Sequence, residues 1–168
     1  MTSPFDPIRI FTVLAAHDVD YVLIGGLAAV IRGSTATTND ADVVPARDEE
    51  NLERLSTALS ELEARLRVDS APDGVAFDPH PALIASMAML NLTTTAGDLD
   101  LTFSPTALDD YGELVGASEW YELGGHRVRV ASLEDIIRSK RAADRPKDRA
   151  VLPILDALRD EIARHPDG

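Results

Sequence analysis

Cysteine is absent from the 168 residues. That excludes a disulfide framework, a thiol nucleophile and any thiolate metal site, and it agrees with a reducing compartment. Basic residues are scarce: 16 Lys and Arg stand against 29 Asp and Glu, a formal net charge of −13. A groove that tracks nucleic-acid phosphates usually carries the opposite excess, so broad DNA or RNA binding is disfavoured. No apolar run reaches the ~18–20 residues of a membrane span. Asp6, Arg9, His17 and Asp18 interrupt the opening segment, which therefore lacks the pattern of a secretory signal. Gly-x-Ser-x-Gly, a Walker loop and His-Glu-x-x-His are all missing. His17, His80, His126 and His165 are scattered without ligand spacing. What is present, 45% hydrophobic and 27% charged residues, is the composition of a globular chain able to bury a core. The expectation is one domain over 1–168, cytoplasmic and without a membrane partner.

Along the chain, Asp6-Pro7 reads as a helix start, with Ile10, Phe11 and Leu14 at helical spacing up to about His17. Tyr21 to Ile24 is a short β-prone run stopped by Gly25-Gly26, and Leu27 to Ile31 is a short helix before Gly33. Asp42-Val43-Val44 reads as a second strand. Acidic residues 48–50 then open a helix whose Leu52, Leu55, Leu59, Leu62 and Leu66 recur at steps of three and four. Pro, Asp and Gly crowd the stretch from Asp69 to Pro81, which predicts mostly loop. Two hairpins follow, Met89–Thr94 with Asp98–Phe103, and Glu119–Leu123 with His126–Val130 across Gly124-Gly125. Ser132, with Asp135 three residues on, caps a helix carrying Leu133, Ile136 and Ile137. Pro153 is expected to begin the last long helix, because proline inside one removes a hydrogen bond. Short strands mixed with helices predict an α/β (α+β) domain, a short mixed β-sheet with helices packed mainly on one side.

Three constellations carry chemistry. Asp40 and Asp42 are separated by one residue at the entry to a strand, as are Asp98 and Asp100 on a later one. Residues i and i+2 of a strand share a face, so each pair can present two carboxylates to one hard cation. The alternative is solvated strand ends. Gly25-Gly26, between a strand and a helix, lets backbone N–H groups approach a phosphate, or simply makes a tight turn; Ser34 after Gly33 adds a hydroxyl or is a turn residue. Lys140 falls on the apolar face of its helix with Leu133, Ile136 and Ile137. An ammonium there either snorkels to water or finds a negative partner. Asp148 falls on the face of Leu152 and Leu155, with Arg145 and Lys147 nearby as cations of an ordinary turn.

In order, Val22-Leu23-Ile24-Gly25-Gly26-Leu27-Ala28, Gly33-Ser34, Thr38-Asn39-Asp40-Ala41-Asp42, Gly97-Asp98-Leu99-Asp100-Leu101, Lys140 and Arg145-Pro146-Lys147-Asp148 resemble the DNA polymerase β-type nucleotidyltransferase superfamily. The branch most resembled holds the AbiE-type abortive-infection toxins and related toxins of toxin–antitoxin pairs. The resemblance implies a minimal nucleotidyltransferase fold and transfer of NMP from an NTP, with Mg²⁺ or Mn²⁺. It implies Asp40, Asp42 and Asp100 as metal ligands, and Gly25, Gly26, Ser34, Lys140 and Asp148 as nucleotide-binding residues. Lys140 and the three aspartates would be the catalytic set, with Asp148 orienting Lys140. The implied acceptor is a tRNA end, a protein or a small molecule, and the implied partner a cognate antitoxin. Many relatives carry Arg where this chain has Ala36, which removes a cation beside the triphosphate. The other reading is therefore a non-catalytic nucleotide-binding or protein-interaction domain that kept the fold.

Overall fold

A computed structural model describes residues 3–105, 107–108 and 110–166. Its elements, in chain order, are α1 (Pro7–Ala16), β1 (Tyr21–Ile24), α2 (Gly25–Ile31), β2 (Asp40–Pro45), α3 (Glu49–Glu61), β3 (Arg65–Val68), β4 (Ala71–Val75), α4 (Pro81–Ser86), β5 (Met89–Thr94), β6 (Gly97–Thr102), α5 (Tyr111–Ala117), β7 (Glu119–Leu123), β8 (His126–Val130), α6 (Leu133–Ala143) and α7 (Pro146–Arg164). The strands form one mixed sheet in the order β4-β3-β5-β6-β2-β1-β8-β7. Most pairs are antiparallel, whereas β2 runs parallel to β6 and β1 parallel to β8. The class is the expected α/β mixture, on a sheet of eight strands.

Alternation in the central strands separates a core face from an open one. In β6, Leu99 and Leu101 are fully buried while Asp98, Asp100 and Thr102 are not. In β2, Ala41 and Val43 point to the core, and Asp40 and Asp42 alternate away from it. Ile10, Phe11 and Leu14 of α1, and Leu52, Leu55 and Leu59 of α3, supply much of the apolar cluster. Asn51 is buried among them and ties the ends of the β1–β2 pair together. Its side-chain amide donates to the carbonyls of Asp20 (2.9 Å) and Ala46 (2.8 Å), and its oxygen accepts from the Asp20 N–H (2.7 Å).

Three expectations need correction. The leucine period runs on to Leu66, but α3 ends at Glu61 and Leu66 belongs to β3. Glu63 takes a left-handed φ of +50°, and the Ala64 N–H closes the end on the Leu59 carbonyl. The Leu62 carbonyl accepts from the N–H and the hydroxyl of Thr95 in the β5–β6 turn. The stretch from Asp69 to Pro81 is not mostly loop, because Ala71–Val75 forms β4 against β3. β4 lies at the sheet edge, where Pro72 costs no ladder bond if its missing N–H faces outward. The Arg65 guanidinium binds the carbonyls of Asp73 and Gly74 and holds it there. Pro153 does not begin the last helix either. It lies inside the 19-residue α7, which starts at Pro146 behind a cap formed by the Asp148 carboxylate on the Arg145 N–H. Buried Asp148 and Leu155 hold the helix on both sides of the proline, so packing overrides the loss of one backbone bond.

Candidate active site

The register of β2 on β6 pairs Asp40 with Asp98 and Asp42 with Asp100. Since i and i+2 share a face, four carboxylates stand on the open side of two neighbouring strands. Asp40, Asp42 and Asp100 each offer an oxygen, and these lie within 4.8 Å of one another. Thr38 fixes the first by donating from Oγ1 to Asp40 Oδ1 at 3.0 Å. All-oxygen donors converging at this spacing suit a hard divalent cation such as Mg²⁺.

Gly25 makes the junction between β1 and α2 with a φ of +73°, and a Cβ there would overlap the Asp42 carboxylate. Ile24 pairs with Asp42 across β1 and β2, which is what brings the Gly-Gly segment against the acidic cluster. A Cβ at Gly26 would lie 3.1 Å from Thr38 Oγ1. Gly25, Gly26, Asp40, Asp42, Asp100 and Lys140 all line one open cleft of about 830 Å³.

Burial pushes the Asp42 carboxyl up from 3.8 to about 7, with the charges of Asp40 and Asp100 adding to the rise and Lys147 and Lys140 opposing it. Asp100 is also raised, first by burial and then by Asp40 and Asp98, against Arg67. Without a bound cation the cluster therefore resists full ionisation.

Lys140 does not splay into solvent. Its side chain is 14% exposed and its Nζ lies 3.6 Å from Asp148 Oδ1. Asp148 is fully buried and does not line the cleft. Burial alone would raise its pKa, but hydrogen bonds from the Arg145 side chain and backbone, with the charges of Arg145 and Lys140, bring it below the usual carboxylate range. The Arg145 fork reaches it at 2.7 and 3.2 Å. Ser34 is likewise buried and outside the cleft lining, its Oγ accepting from the Ala36 N–H at 3.2 Å.

No family model and no curated protein matches this sequence. Solved structures do match. A lincosamide antibiotic adenylyltransferase, LnuA with lincomycin bound, superposes with a TM-score of 0.60 at 14% identity, over 93% of this chain and 99% of that one. ANT(2'')-Ia in complex with adenylyl-2''-tobramycin gives 0.55 at 17% identity, over 94% of each. The chain has the nucleotidyltransferase fold.

Within this fold the cleft contains residues that sequence reasoning left out. Arg145 and Lys147, read as turn cations, line it. So does Arg67, whose Nη2 contacts Asp100 Oδ1 at 2.6 Å and whose Nη1 contacts Asp98 Oδ2 at 3.0 Å. The alternation of Arg65-Leu66-Arg67-Val68 was a usable strand signal, masked by the leucine period that ends in it. The histidines lie elsewhere: His80 caps α4, His126 meets Thr12, and His17 and His165 meet Glu61 and Glu161.

Proposed function

We propose that this chain transfers a nucleoside monophosphate from an NTP to an acceptor hydroxyl. One observation carries the reading: two carboxylates of β2 and one of β6 converge in a cleft shared with Gly25-Gly26 and Lys140. The nucleotidyltransferase fold supports it.

Asp40, Asp42 and Asp100 would hold Mg²⁺ or Mn²⁺, which when bound supplies Lewis-acid charge to the triphosphate and to the entering oxygen. The lack of a side chain at Gly25 lets the Asp42 carboxylate pack against the backbone there, and the Gly25-Gly26 segment beside it in the cleft would meet the phosphates with its N–H groups. Lys140 balances phosphate charge, and the buried Asp148 keeps the ammonium on the cleft side of α6. Asp100 would also help activate the attacking hydroxyl by accepting its proton. Ser34 acts one step away, by fixing the 34–36 turn through Ala36.

For the acceptor, a small hydroxylated molecule is the best supported class. Two structural neighbours matched over nearly their whole length are named for antibiotic adenylylation or hold an adenylylated antibiotic, and a charge of −13 opposes a polyanion. Transfer to a tRNA end or a protein, as a toxin with a cognate antitoxin in the cytoplasm, draws its support from the order of the motifs. The test is incubation with α-labelled NTPs and Mg²⁺, with panels of small hydroxylated molecules, total tRNA and protein lysate. Label moving to an acceptor with release of pyrophosphate is expected, and it should vanish in Asp42→Asn.

A second reading has its own observation. Ala36 lines the cleft and brings no charge to it, so a domain that binds nucleotide without transferring it would show calorimetric NTP binding and no labelled product.

A further inference from the structure

The transfer reading gives no task to Arg67, yet this cation is held at a definite place in the cleft. It stands on β3, two strands from β6, and reaches across β5 to the open face. One guanidinium holds two carboxylates at once, Asp98 at 3.0 Å and Asp100 at 2.6 Å, and also donates to the Leu92 carbonyl at 3.2 Å. These anchors fix the fork on the sheet while its side chain remains 34% exposed. Asp98 and Asp100 are i and i+2 on one face, and the planar fork bridges them with one Nη to each. Asp100 is also one of the three carboxylates whose oxygens converge within 4.8 Å. One of its oxygens is thus already committed to a cation supplied by the protein.

We propose that Arg67 is a resident counter-cation that competes with the divalent ion for Asp100 and is displaced when that ion binds. The inference rests on the metal-dependent reading above. In the metal-free chain Arg67 relieves the repulsion among Asp40, Asp42, Asp98 and Asp100, which otherwise stand together on adjacent strands. Leaving Asp100 does not strand the guanidinium, because Asp98 and the Leu92 carbonyl keep it on the sheet. The opposite role, holding Asp100 in place for the metal, predicts the opposite sign when Arg67 is removed.

The experiment is titration with Mn²⁺ alone, followed by electron paramagnetic resonance of the free ion, with no nucleotide and no turnover. Arg67→Gln should bind Mn²⁺ at least tenfold more tightly than the parent chain; equal or weaker binding overturns the proposal. Arg67→Lys keeps the charge and loses the fork, so it should gain at least threefold. Parity with the parent overturns displacement in favour of a simple field effect. This milder variant also carries the test if circular dichroism shows Arg67→Gln unfolded. Asp42→Asn separates the two levels. If it binds Mn²⁺ as well as the parent, the metal site fails and this inference with it. If it loses Mn²⁺ while both Arg67 variants match the parent, only the Arg67 inference fails. In crystals grown with Mg²⁺, the Arg67–Asp100 contact should be broken, and its persistence overturns the proposal.

Discussion

Asp42 ties the stability of the metal-free chain to pH in a direction unusual for a carboxylate. Its folded pKa is raised to about 7 from an ordinary 3.8, chiefly by burial and then by Asp40 and Asp100. Between those values the native state keeps a proton that the unfolded state has released. The stability derivative, proportional to protons bound in the unfolded minus the native state, is therefore negative. This contribution is complete below about pH 4, is lost as pH rises from there to about 7, and levels off above. At about 1.36 kcal/mol per pKa unit, a rise of ~3 units bounds the effect at about 4 kcal/mol. For a domain of this size each kcal/mol moves Tm by about 2–4 °C, so the span is on the order of 10 °C. Asp100 is raised as well and adds in the same sense, whereas Asp148, with its lowered pKa, loses its contribution only as pH falls below the ordinary carboxylate range. The assay is Tm against pH from 4.5 to 8.5 in chelator, for the parent and Asp42→Asn. The acidic surface also repels itself more as pH rises, so the decisive quantity is the difference between the two curves. That difference should grow in favour of Asp42→Asn with pH and saturate above 7, and saturating Mg²⁺ at pH 8 should raise the Tm of the parent alone. Parallel curves, or a difference of the opposite sign, would refute the placement of Asp42 in a buried acidic cluster.

Lys140→Met should cut nucleotidyl transfer by at least a hundredfold, measured with labelled NTP, while Tm shifts by less than about 3 °C, because Arg145 still pairs with the buried Asp148. Lys140→Arg should rescue little, since a fork does not replace a compact point charge. Asn51→Ala leaves buried partners at Asp20 and Ala46 without their bonds and should cost about 3 kcal/mol in urea unfolding at any pH between 6 and 8; a loss under about 1 kcal/mol would contradict the clamp. Gly26→Val brings a Cβ against Thr38, which orients Asp40, and should weaken NTP binding about tenfold by calorimetry in a chain that still folds; unchanged affinity would return Gly25-Gly26 to an ordinary turn.

The parts of the site that were legible in the sequence are those encoded over a few residues. Alternation placed Asp98, Asp100 and Thr102 on one face of β6, and Gly25-Gly26 marked the switch from β1 to α2. Capping marked the start of α6, where the Ser132 hydroxyl oxygen accepts from the Asp135 N–H. What sequence could not show is which strands become neighbours. Asp42 faces Asp100 only because β2 and β6 pair in parallel, across an interval of nearly sixty residues. Arg67 was further out of reach: its role needs β3 to pair with β5 and β5 with β6, and its own strand was hidden behind a leucine period. Pro153 failed for a different reason, since a local penalty was outweighed by packing on both sides of it.

The same geometry bears on Ala36. An arginine at that position would bring its charge to the triphosphate from the loop before β2, and this chain has none there. The Asp40–Asp42 pair is nonetheless flanked by cations from two other directions. Arg67 arrives from the β3 side and senses Asp98, Asp100 and Asp40. Lys140, Arg145 and Lys147 arrive from α6 and the start of α7, close enough that Lys147 and Lys140 pull on Asp42 and that Asp42 and Asp40 pull on Arg145. These two groups differ in how they are held. Arg67 is fixed to the acidic face itself, so it offsets charge already belonging to the protein. Lys140 and Arg145 are tied to Asp148, a carboxylate outside the cleft lining, which leaves their positive field directed into the cleft. On the transfer reading, the phosphate charge that Ala36 cannot meet falls to the helical side, and Asp148 is the residue on which that substitution depends.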